Sequence, residues 1–141
     1  MRLAVLDTNV IVSAGIRRDG TPAKLILDWV LEGQVQLISS PIVAAEYREV
    51  ARREKFRRYE FPPYWLELMI EECLWLPEPQ PWPLVLPDPK DAPFLALAQA
   101  SGAWLVTGNL KHFPESACGG VRVISPGQYL AHLASAGDHL A

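Results

Sequence analysis

The chain begins with a short apolar run that ends in three polar residues. Residues 3–6 are all apolar, and Asp7, Thr8 and Asn9 follow them directly. A run of this length is typical of a strand buried in a parallel sheet. Ligand sites in open α/β sheets lie beyond the carboxyl ends of the strands. The run therefore predicts that Asp7 stands at the mouth of a sheet, the alternative being that residues 7–9 only cap the next helix.

Strands and helices alternate along the rest of the chain. Short apolar runs predict further strands at residues 35–38, 104–106 and 121–124. Apolar residues at helical spacing predict helices over residues 23–31, 41–53, 66–74, 91–100 and 126–133. This alternation favours an α/β class with a parallel sheet covered by helices on both faces. The 141 residues fit one domain, which we place at residues 1–134 with a flexible tail at residues 135–141.

A proline-rich segment, residues 77–89, interrupts the alternation. Its prolines stand at positions 77, 79, 81, 83, 87 and 89. They exclude a regular helix or a central strand. Because too little chain follows for a second core, we interpret the segment as an extended connection within the domain. We expect Trp82 to pin it to the protein surface.

Composition excludes several classes of protein. The chain is 50% hydrophobic, as soluble globular proteins are, and no apolar run approaches the roughly 20 residues of a membrane span. The N-terminus enters the first strand without a separate signal peptide, so we expect a cytoplasmic protein. Cys73 and Cys118 form no CxxC or zinc pattern and are interpreted as ordinary thiols.

Basic residues are concentrated in one part of an acidic chain. The net charge is −3, which excludes a globally basic nucleic-acid binder. Between positions 48 and 58, however, there are six basic residues against Glu49 and Glu54, a local charge of +4; they are Arg48, Arg52, Arg53, Lys55, Arg57 and Arg58. Such a patch can hold a phosphate backbone near an acidic site, or it can be the solvated end of a surface helix.

Three acidic residues occupy positions where a charge is costly. Asp7 ends an apolar strand, and Glu46 and Asp91 each fall on the apolar side of a predicted helix. Carboxylates in such places are unfavourable unless they are paired or bind a metal. Asp91 could instead cap its helix, whereas Glu46 lies beyond the first turn. No Lys or Arg is an obvious partner on these apolar sides.

A divalent cation would relieve the repulsion among these acids. Two carboxylates 4 Å apart repel by on the order of 4 kcal/mol at an effective dielectric of about 20. Carboxylate oxygens suit Mg²⁺ or Mn²⁺, and no Cys/His cluster favours zinc. Asn109 directly follows the strand at residues 104–106. Its amide oxygen could ligate the metal or orient a metal-bound water, although Gly108-Asn109 is also common turn chemistry.

The ordered set of motifs resembles the PIN-domain ribonuclease family. The set consists of Asp7-Thr8-Asn9, the helical Glu46, the stretch from Asp91 to Ala98, and Thr107-Gly108-Asn109. The resemblance covers nearly the whole chain and is strongest to VapC-type toxins of toxin–antitoxin systems. It implies a three-layer α/β/α PIN-like fold around a mainly parallel sheet. It also implies an endoribonuclease that needs Mg²⁺ or Mn²⁺ to hydrolyse RNA phosphodiester bonds, a homo-oligomer, and an antitoxin partner.

The resemblance also assigns roles to residues. Asp7, Glu46 and Asp91 match the acidic positions of the family and would hold the metal directly or through water. Asn109 stands where the family usually has aspartate. This change removes one negative charge and leaves the number of bound metals open. Thr8, Asn9 and Thr107 would support these ligands.

Other residues near the motifs are candidates for weaker roles. Asp88 is either an auxiliary acid or turn chemistry in Pro87-Asp88-Pro89. Lys111 and His112 could contact phosphate near the cleft, although His112 could equally be an exposed loop residue. Four residues of the basic patch are further candidates for contact with RNA: Arg48, Arg52, Arg53 and Arg57.

Two other function classes remain open at the level of sequence. A catalytically weakened PIN-like module that binds RNA or regulates a partner is compatible with Asn109. A phosphatase with Asp7 as nucleophile would need a second acid two residues further on, where this chain has Asn9.

Overall fold

The computed structural model describes residues 2–16, 19–53 and 63–140. It contains one five-stranded sheet in the order β3-β2-β1-β4-β5, and every pairing is parallel. The strands are β1 (Arg2–Leu6), β2 (Val35–Ser39), β3 (Leu74–Trp75), β4 (Trp104–Val106) and β5 (Val123–Ile124). The predicted parallel sheet is confirmed.

Six helices of the described part of the chain complete a three-layer α/β/α fold. They are α1 (Thr8–Gly15), α2 (Pro22–Leu31), α3 (Pro41–Ala51), α4 (Pro63–Glu71), α5 (Ala92–Ser101) and α6 (Pro126–Leu140). Short 3-10 turns lie at Pro89–Asp91, Leu110–His112 and Glu115–Ala117. The hydroxyl of Ser40 accepts a hydrogen bond from the backbone N–H of Val43, and proline follows the cap at the first helical position, so the sequence itself sets the start of α3.

The strand order reverses at β1, which lies between β2 and β4. In open α/β sheets such a reversal leaves a crevice beyond the carboxyl ends of the strands, where ligands bind. Leu6 and Val106 are paired across β1 and β4. The next residues, Asp7 and Thr107, therefore enter the crevice side by side.

Helix α5 fixes the other side of this crevice. Residues 94–98 are all buried, as in a helix surrounded by the core. The helix ends at Gly102, whose φ of +74° is the left-handed conformation that glycine adopts readily. Each fully buried Leu side chain, such as Leu95 and Leu97 at 0% exposure, contributes about 1.5–3 kcal/mol of hydrophobic stabilisation. Asp91 therefore precedes a helix that the core holds rigidly.

Two element boundaries differ from the sequence prediction. The helix predicted to continue to residue 74 ends at Glu71, and Leu74 instead begins the edge strand β3. A strand of two residues, with Leu74 50% and Trp75 44% exposed, has too little periodicity to recognise. The last helix continues to Leu140, beyond the predicted end at residue 133. Whether residues 135–141 are flexible stays a prediction.

The proline-rich segment is an extended connection, as predicted, with no helix or strand between residues 76 and 88. Trp82 anchors it, because its indole Nε1–H donates a hydrogen bond to the carbonyl of Ala117 at 2.9 Å. The indole ring also packs against Gly119, where an added Cβ would lie 3.0 Å from two ring atoms. The backbone of residues 117–119 thus positions the segment that leads to Asp88.

This packing predicts different effects for two neighbouring glycines. Gly119 and Gly120 have φ values of +56° and +85°, and a Cβ on Gly120 meets no described atom within 4 Å. Alanine at either position should carry left-handed strain of about 1–2 kcal/mol. Gly119→Ala should lose about 1–3 kcal/mol more, because it overpacks against Trp82. Urea unfolding of both variants measures the difference, and equal losses would show that the Trp82 contact is unimportant.

Candidate active site

Asp7 is a buried carboxylate at the carboxyl end of β1, 6% exposed. Its backbone N–H donates to the carbonyl of Val106, and its Oδ2 accepts a 2.7 Å hydrogen bond from the hydroxyl of Thr107. Burial raises the pKa of Asp7 above its ordinary value, although the hydrogen bonds from Thr107 and the backbone of Thr8 oppose this shift. In the described part of the chain no Lys or Arg pairs with Asp7.

Asp91 is not merely a helix cap. It occupies the cap position of α5, but its side chain makes no capping hydrogen bond. Its Oδ2 instead lies 3.0 Å from Nδ1 of His112. Burial, followed by the carboxylates of Asp7 and Asp88, raises the pKa of Asp91 to about 6 despite the opposing effect of His112. Asp7, Asp88 and Asp91 are therefore close enough to repel one another.

Asp88 is a turn residue and is also a candidate acid of the site. Its Oδ1 accepts a hydrogen bond from the backbone N–H of Lys90 at 3.0 Å, which is turn chemistry. Ligand atoms of Asp88, Asp91 and His112 also lie within 4.8 Å of one another. Asp88 is thus a candidate metal ligand as well as a turn residue.

A hydrogen-bonded network joins Asp7 to Asp91 through the loop after β4. The hydroxyl of Thr107 accepts from the backbone N–H of Asn109 at 3.1 Å while it donates to Asp7. The side-chain Nδ2 of Asn109 lies 3.0 Å from Nε2 of His112, and the other ring nitrogen reaches Asp91. His112 is half-buried within this network and is not simply an exposed loop histidine.

The three-residue spacing from Asn109 to His112 is the sequence feature that could have indicated this contact, had the type of turn been known. Side chains separated by three residues eclipse in a 3-10 turn, and the turn at Leu110–His112 directly follows Asn109. Without knowledge of this turn, the sequence analysis considered His112 only as a phosphate contact or as an exposed loop residue. Lys111, on the same turn, is exposed.

Asn9 and Thr8 support the crevice from α1. The side-chain Oδ1 of Asn9 accepts a 3.2 Å hydrogen bond from the backbone N–H of Gly108, which ties α1 to the loop after β4. The hydroxyl of Thr8 is buried and has no hydrogen-bond partner in the described part of the chain. A buried polar group left in this state costs about 1–3 kcal/mol unless a ligand or water satisfies it.

Glu46 lies on α3 and is not part of the network. Its neighbour Tyr47 is 2% exposed and donates a hydrogen bond to the carbonyl of Leu6, the residue before Asp7. Glu46 is half-buried and forms no hydrogen bond or ion pair with any described side chain. The structure brings together Asp7, Asp88, Asp91, Asn109 and His112, whereas a ligand role for Glu46 stays a prediction.

The donor set fits a divalent cation. It offers carboxylate oxygens and one imidazole nitrogen, with the amide of Asn109 beside the ring, and no Lys or Arg of the described residues pairs with the carboxylates. Hard divalent ions take oxygen ligands of this kind. The unsatisfied hydroxyl of Thr8 next to Asp7 is a further group that a bound ligand or its water could satisfy.

The basic patch is partly neutralised within the protein. Arg48 forms two hydrogen bonds with the carboxylate of Glu67, at 2.8 and 2.9 Å, and Arg53 pairs with Glu49 at 2.9 Å. Arg52 is exposed and has no ion pair among the described residues. The remaining members, Lys55, Arg57 and Arg58, lie outside the described residues.

A groove of about 440 Å³ adjoins the site and carries no charged side chain among its described lining residues. Asn9, Gly108 and Asn109 form its border with the acidic residues, and the first residues of α2 and α6 form its far wall. Both helices begin with proline, and the N–H groups of Lys24 and Gln128 donate to the hydroxyls of Thr21 and Ser125. Among the described residues at these helix starts, the N–H groups of Ala23 and Gly127 are the ones left to attract an anion. The groove can therefore receive a phosphate-bearing chain beside the carboxylates.

Fold and site together define an α/β protein with a candidate metal centre at the switch point of a parallel sheet. The family model described as PIN domain matches residues 3–111. The chain belongs to the PIN domain family, and this membership implies a hydrolase of the nuclease class.

Solved structures support the same fold. VapBC2 from Rickettsia felis, bound to a DNA fragment from its promoter, is 20% identical with a TM-score of 0.60, and the match covers 87% of this chain and 98% of that chain. FitAcB from Neisseria gonorrhoeae is 22% identical with a TM-score of 0.57, covering 88% and 98%. DNA-bound VapBC from Salmonella typhimurium is 18% identical with a TM-score of 0.59, covering 89% and 99%. No curated protein gives a significant match.

Within the described residues, every helix is too short or too polar to cross a bilayer.

Proposed function

We propose that this chain is an endoribonuclease that depends on Mg²⁺ or Mn²⁺ and acts in the cytoplasm as the toxin of a toxin–antitoxin pair. The observation that carries the proposal is the mutually repelling set of the buried Asp7 and Asp91 and the half-buried Asp88 in a PIN domain. These carboxylates have no Lys or Arg partner among the described residues. A catalytic cation explains why the chain keeps them together.

The residues of the site have different roles in the proposed hydrolysis. A bound cation would orient the phosphate and lower the pKa of the attacking water. Asp7, Asp88 and Asp91 would hold the cation, with Glu46 acting directly or through water. Thr107 fixes the orientation of the Asp7 carboxylate through its 2.7 Å hydrogen bond, and Asn9 fixes the loop that carries Asn109.

RNA is the proposed substrate, and the groove beside Asn9 and Asn109 is its proposed path. Its lining is uncharged and mostly apolar, with the side chains of Asn9, Ser13 and Asn109 as polar groups, so its contacts to a phosphate chain would not select a base sequence. Lys111 is exposed on the turn next to this groove and can add a phosphate contact.

An antitoxin and a second copy of the chain are the proposed protein partners. The solved VapBC and FitAB structures contain named two-component complexes, three of them with DNA. On this chain, apolar side chains are exposed on the edge strand β3, with Leu74 50% and Trp75 44% exposed. Exposed apolar patches commonly mark protein interfaces.

The test of the proposed function is RNA cleavage by the pure protein with Mg²⁺ or Mn²⁺, with excess EDTA as the matched negative. Cleavage that needs metal and stops with EDTA supports the nuclease. The second candidate is a weakened module that binds RNA without cutting it, and it is favoured by Asn109 in place of an acid. Metal-independent RNA binding without cleavage would establish that second candidate.

The basic patch makes a separate prediction about RNA affinity. Because Arg53 already pairs with Glu49, Arg52 and Arg57 are the better residues to replace. Their double replacement by Ala should weaken RNA binding. It should also reduce the slope of log affinity against log salt concentration by about 1.4, since each phosphate contact to single-stranded RNA contributes about 0.7 to that slope. Arg122→Gln is the control, because Arg122 stacks on Trp104 at 4.4 Å before β5. Parallel plots for the double variant and wild type would assign the patch to a protein partner.

A further inference from the structure

We propose that His112 is a nitrogen ligand of the cation that Asp88 and Asp91 hold, and that this ligand makes the site prefer Mn²⁺ over Mg²⁺. The inference rests on the proposed function only in assuming that a divalent cation occupies the site. It adds a ligand of a different chemical kind from the carboxylates and amide that the sequence pointed to.

The distances fit a shared ion. Ligand atoms of Asp88, Asp91 and His112 all lie within 4.8 Å of one another. Neighbouring ligands of an octahedral ion, each about 2.1 Å from the metal, lie about 3 Å apart. Nδ1 of His112 and Oδ2 of Asp91 are 3.0 Å apart. This pair can therefore bind one cation without movement of the backbone.

The local structure holds the imidazole in place. His112 ends the 3-10 turn at Leu110–His112, and its backbone N–H donates to the carbonyl of Asn109 at 3.0 Å. The next residue, Phe113, is 5% exposed and anchors the turn in the core. The backbone that carries the ring is therefore held beside Asp91, so Nδ1 stays within reach of that carboxylate.

The second ring nitrogen has the partner that a metal-bound histidine requires. A ligating imidazole usually donates its other N–H to an oxygen acceptor, which fixes the ring orientation. Nε2 of His112 faces the side-chain amide of Asn109 at 3.0 Å. Rotation of this amide by half a turn exchanges its nitrogen for its oxygen, so Asn109 can accept the Nε2–H when Nδ1 binds the metal.

The ligand chemistry explains the preference between the two ions. Mg²⁺ takes oxygen ligands and keeps several waters, whereas imidazole nitrogen suits transition-metal ions. A bond to the imidazole nitrogen of His112 would therefore stabilise bound Mn²⁺ much more than bound Mg²⁺. The competing view is that His112 only hydrogen-bonds Asp91 and must be displaced by any cation. These two views predict opposite effects of removing the imidazole.

The first experiment measures binding of the metals alone. Free Mn²⁺ is followed by its electron paramagnetic resonance signal for wild type, His112→Gln and His132→Gln, and Mg²⁺ is measured by competition. Gln keeps an oxygen donor, so we expect His112→Gln to lose about 10- to 100-fold in Mn²⁺ affinity and to change little in Mg²⁺ affinity. His132→Gln is the control, because His132 lies against Trp104 at the opposite edge of the sheet and should leave both affinities unchanged. A gain in affinity for both ions in His112→Gln overturns the proposal.

The second experiment needs no variant. Electron spin-echo spectra of bound Mn²⁺ are compared for wild type with ¹⁴N- and ¹⁵N-labelled histidine. We expect a nitrogen coupling that changes with the isotope. Bound Mn²⁺ without a histidine coupling overturns this inference while metal-dependent RNA cleavage, if present, keeps the proposed function. Failure to bind either ion overturns both.

Discussion

Replacing Asp7 with Asn is expected to abolish metal-dependent RNA cleavage while the fold survives. Loss of even an outer partner of a metal ligand reduces activity or metal affinity about 10- to 100-fold, so loss of this carboxylate should reduce the cleavage rate at least about 100-fold. The amide still has an oxygen that can accept the hydrogen bond from Thr107. The variant should also be at least as stable as wild type without metal, because burial makes the charged form of Asp7 unfavourable.

The measurement is the initial rate of RNA cleavage with saturating Mn²⁺ or Mg²⁺, together with urea unfolding without metal. Glu32→Gln is the matched control, because Glu32 is exposed at the end of α2 remote from the groove. Wild-type cleavage by Asp7→Asn would place the chemistry elsewhere. A large loss of stability would show that Asp7 has a structural role.

The second expected result is that a divalent cation reverses the pH dependence of stability. In the metal-free protein the pKa of Asp91 is about 6, above its ordinary value of 3.8. The folded state therefore binds more protons than the unfolded state between about pH 4 and 6. Stability from this group is highest below pH 4 and falls as pH rises through 6, by up to about 3 kcal/mol.

A bound cation acts in the opposite direction because it needs the ionised carboxylates. At 100-fold excess over the dissociation constant it should stabilise the protein by about 2.7 kcal/mol near pH 7.5 and by little below pH 5. Urea unfolding at pH 4.5, 6 and 7.5, with and without Mg²⁺, measures both effects. Asp91→Asn should reduce both the change of unfolding free energy with pH in the absence of metal and the stabilisation by Mg²⁺. If both quantities are the same in Asp91→Asn as in wild type, Asp91 does not have this role.

The residues that directly follow strands could be placed at the site from the sequence. Asp7 and Thr107 follow apolar strands, and parallel strands bring their carboxyl ends to one edge of a sheet, so their neighbourhood could be predicted. Asp91 could be predicted from a different signal, because it shares the apolar side of its helix with Phe94, Leu95 and Ala98.

The remaining parts depend on geometry that no short pattern encodes. Asp88 reaches the site because two prolines and a 3-10 turn direct it there, and His112 because the turn after Asn109 eclipses the two side chains. Glu46 was favoured by its position on the apolar side of a helix. That pattern gives the face of α3, but the direction of a long side chain depends on packing.

The hydrogen bond between Thr107 and Asp7 joins residues that are 100 positions apart in the chain. Contacts between residues so far apart have a large loop-closure entropy, so they are costly to form before the intervening chain is ordered. The carboxylate of Asp7 therefore gains its orientation only when β4 pairs with β1 and brings Thr107 beside it. A chain folded no further than α4 would hold Asp7 without the loop that carries Thr107, Asn109 and His112, so the site and the complete sheet form together.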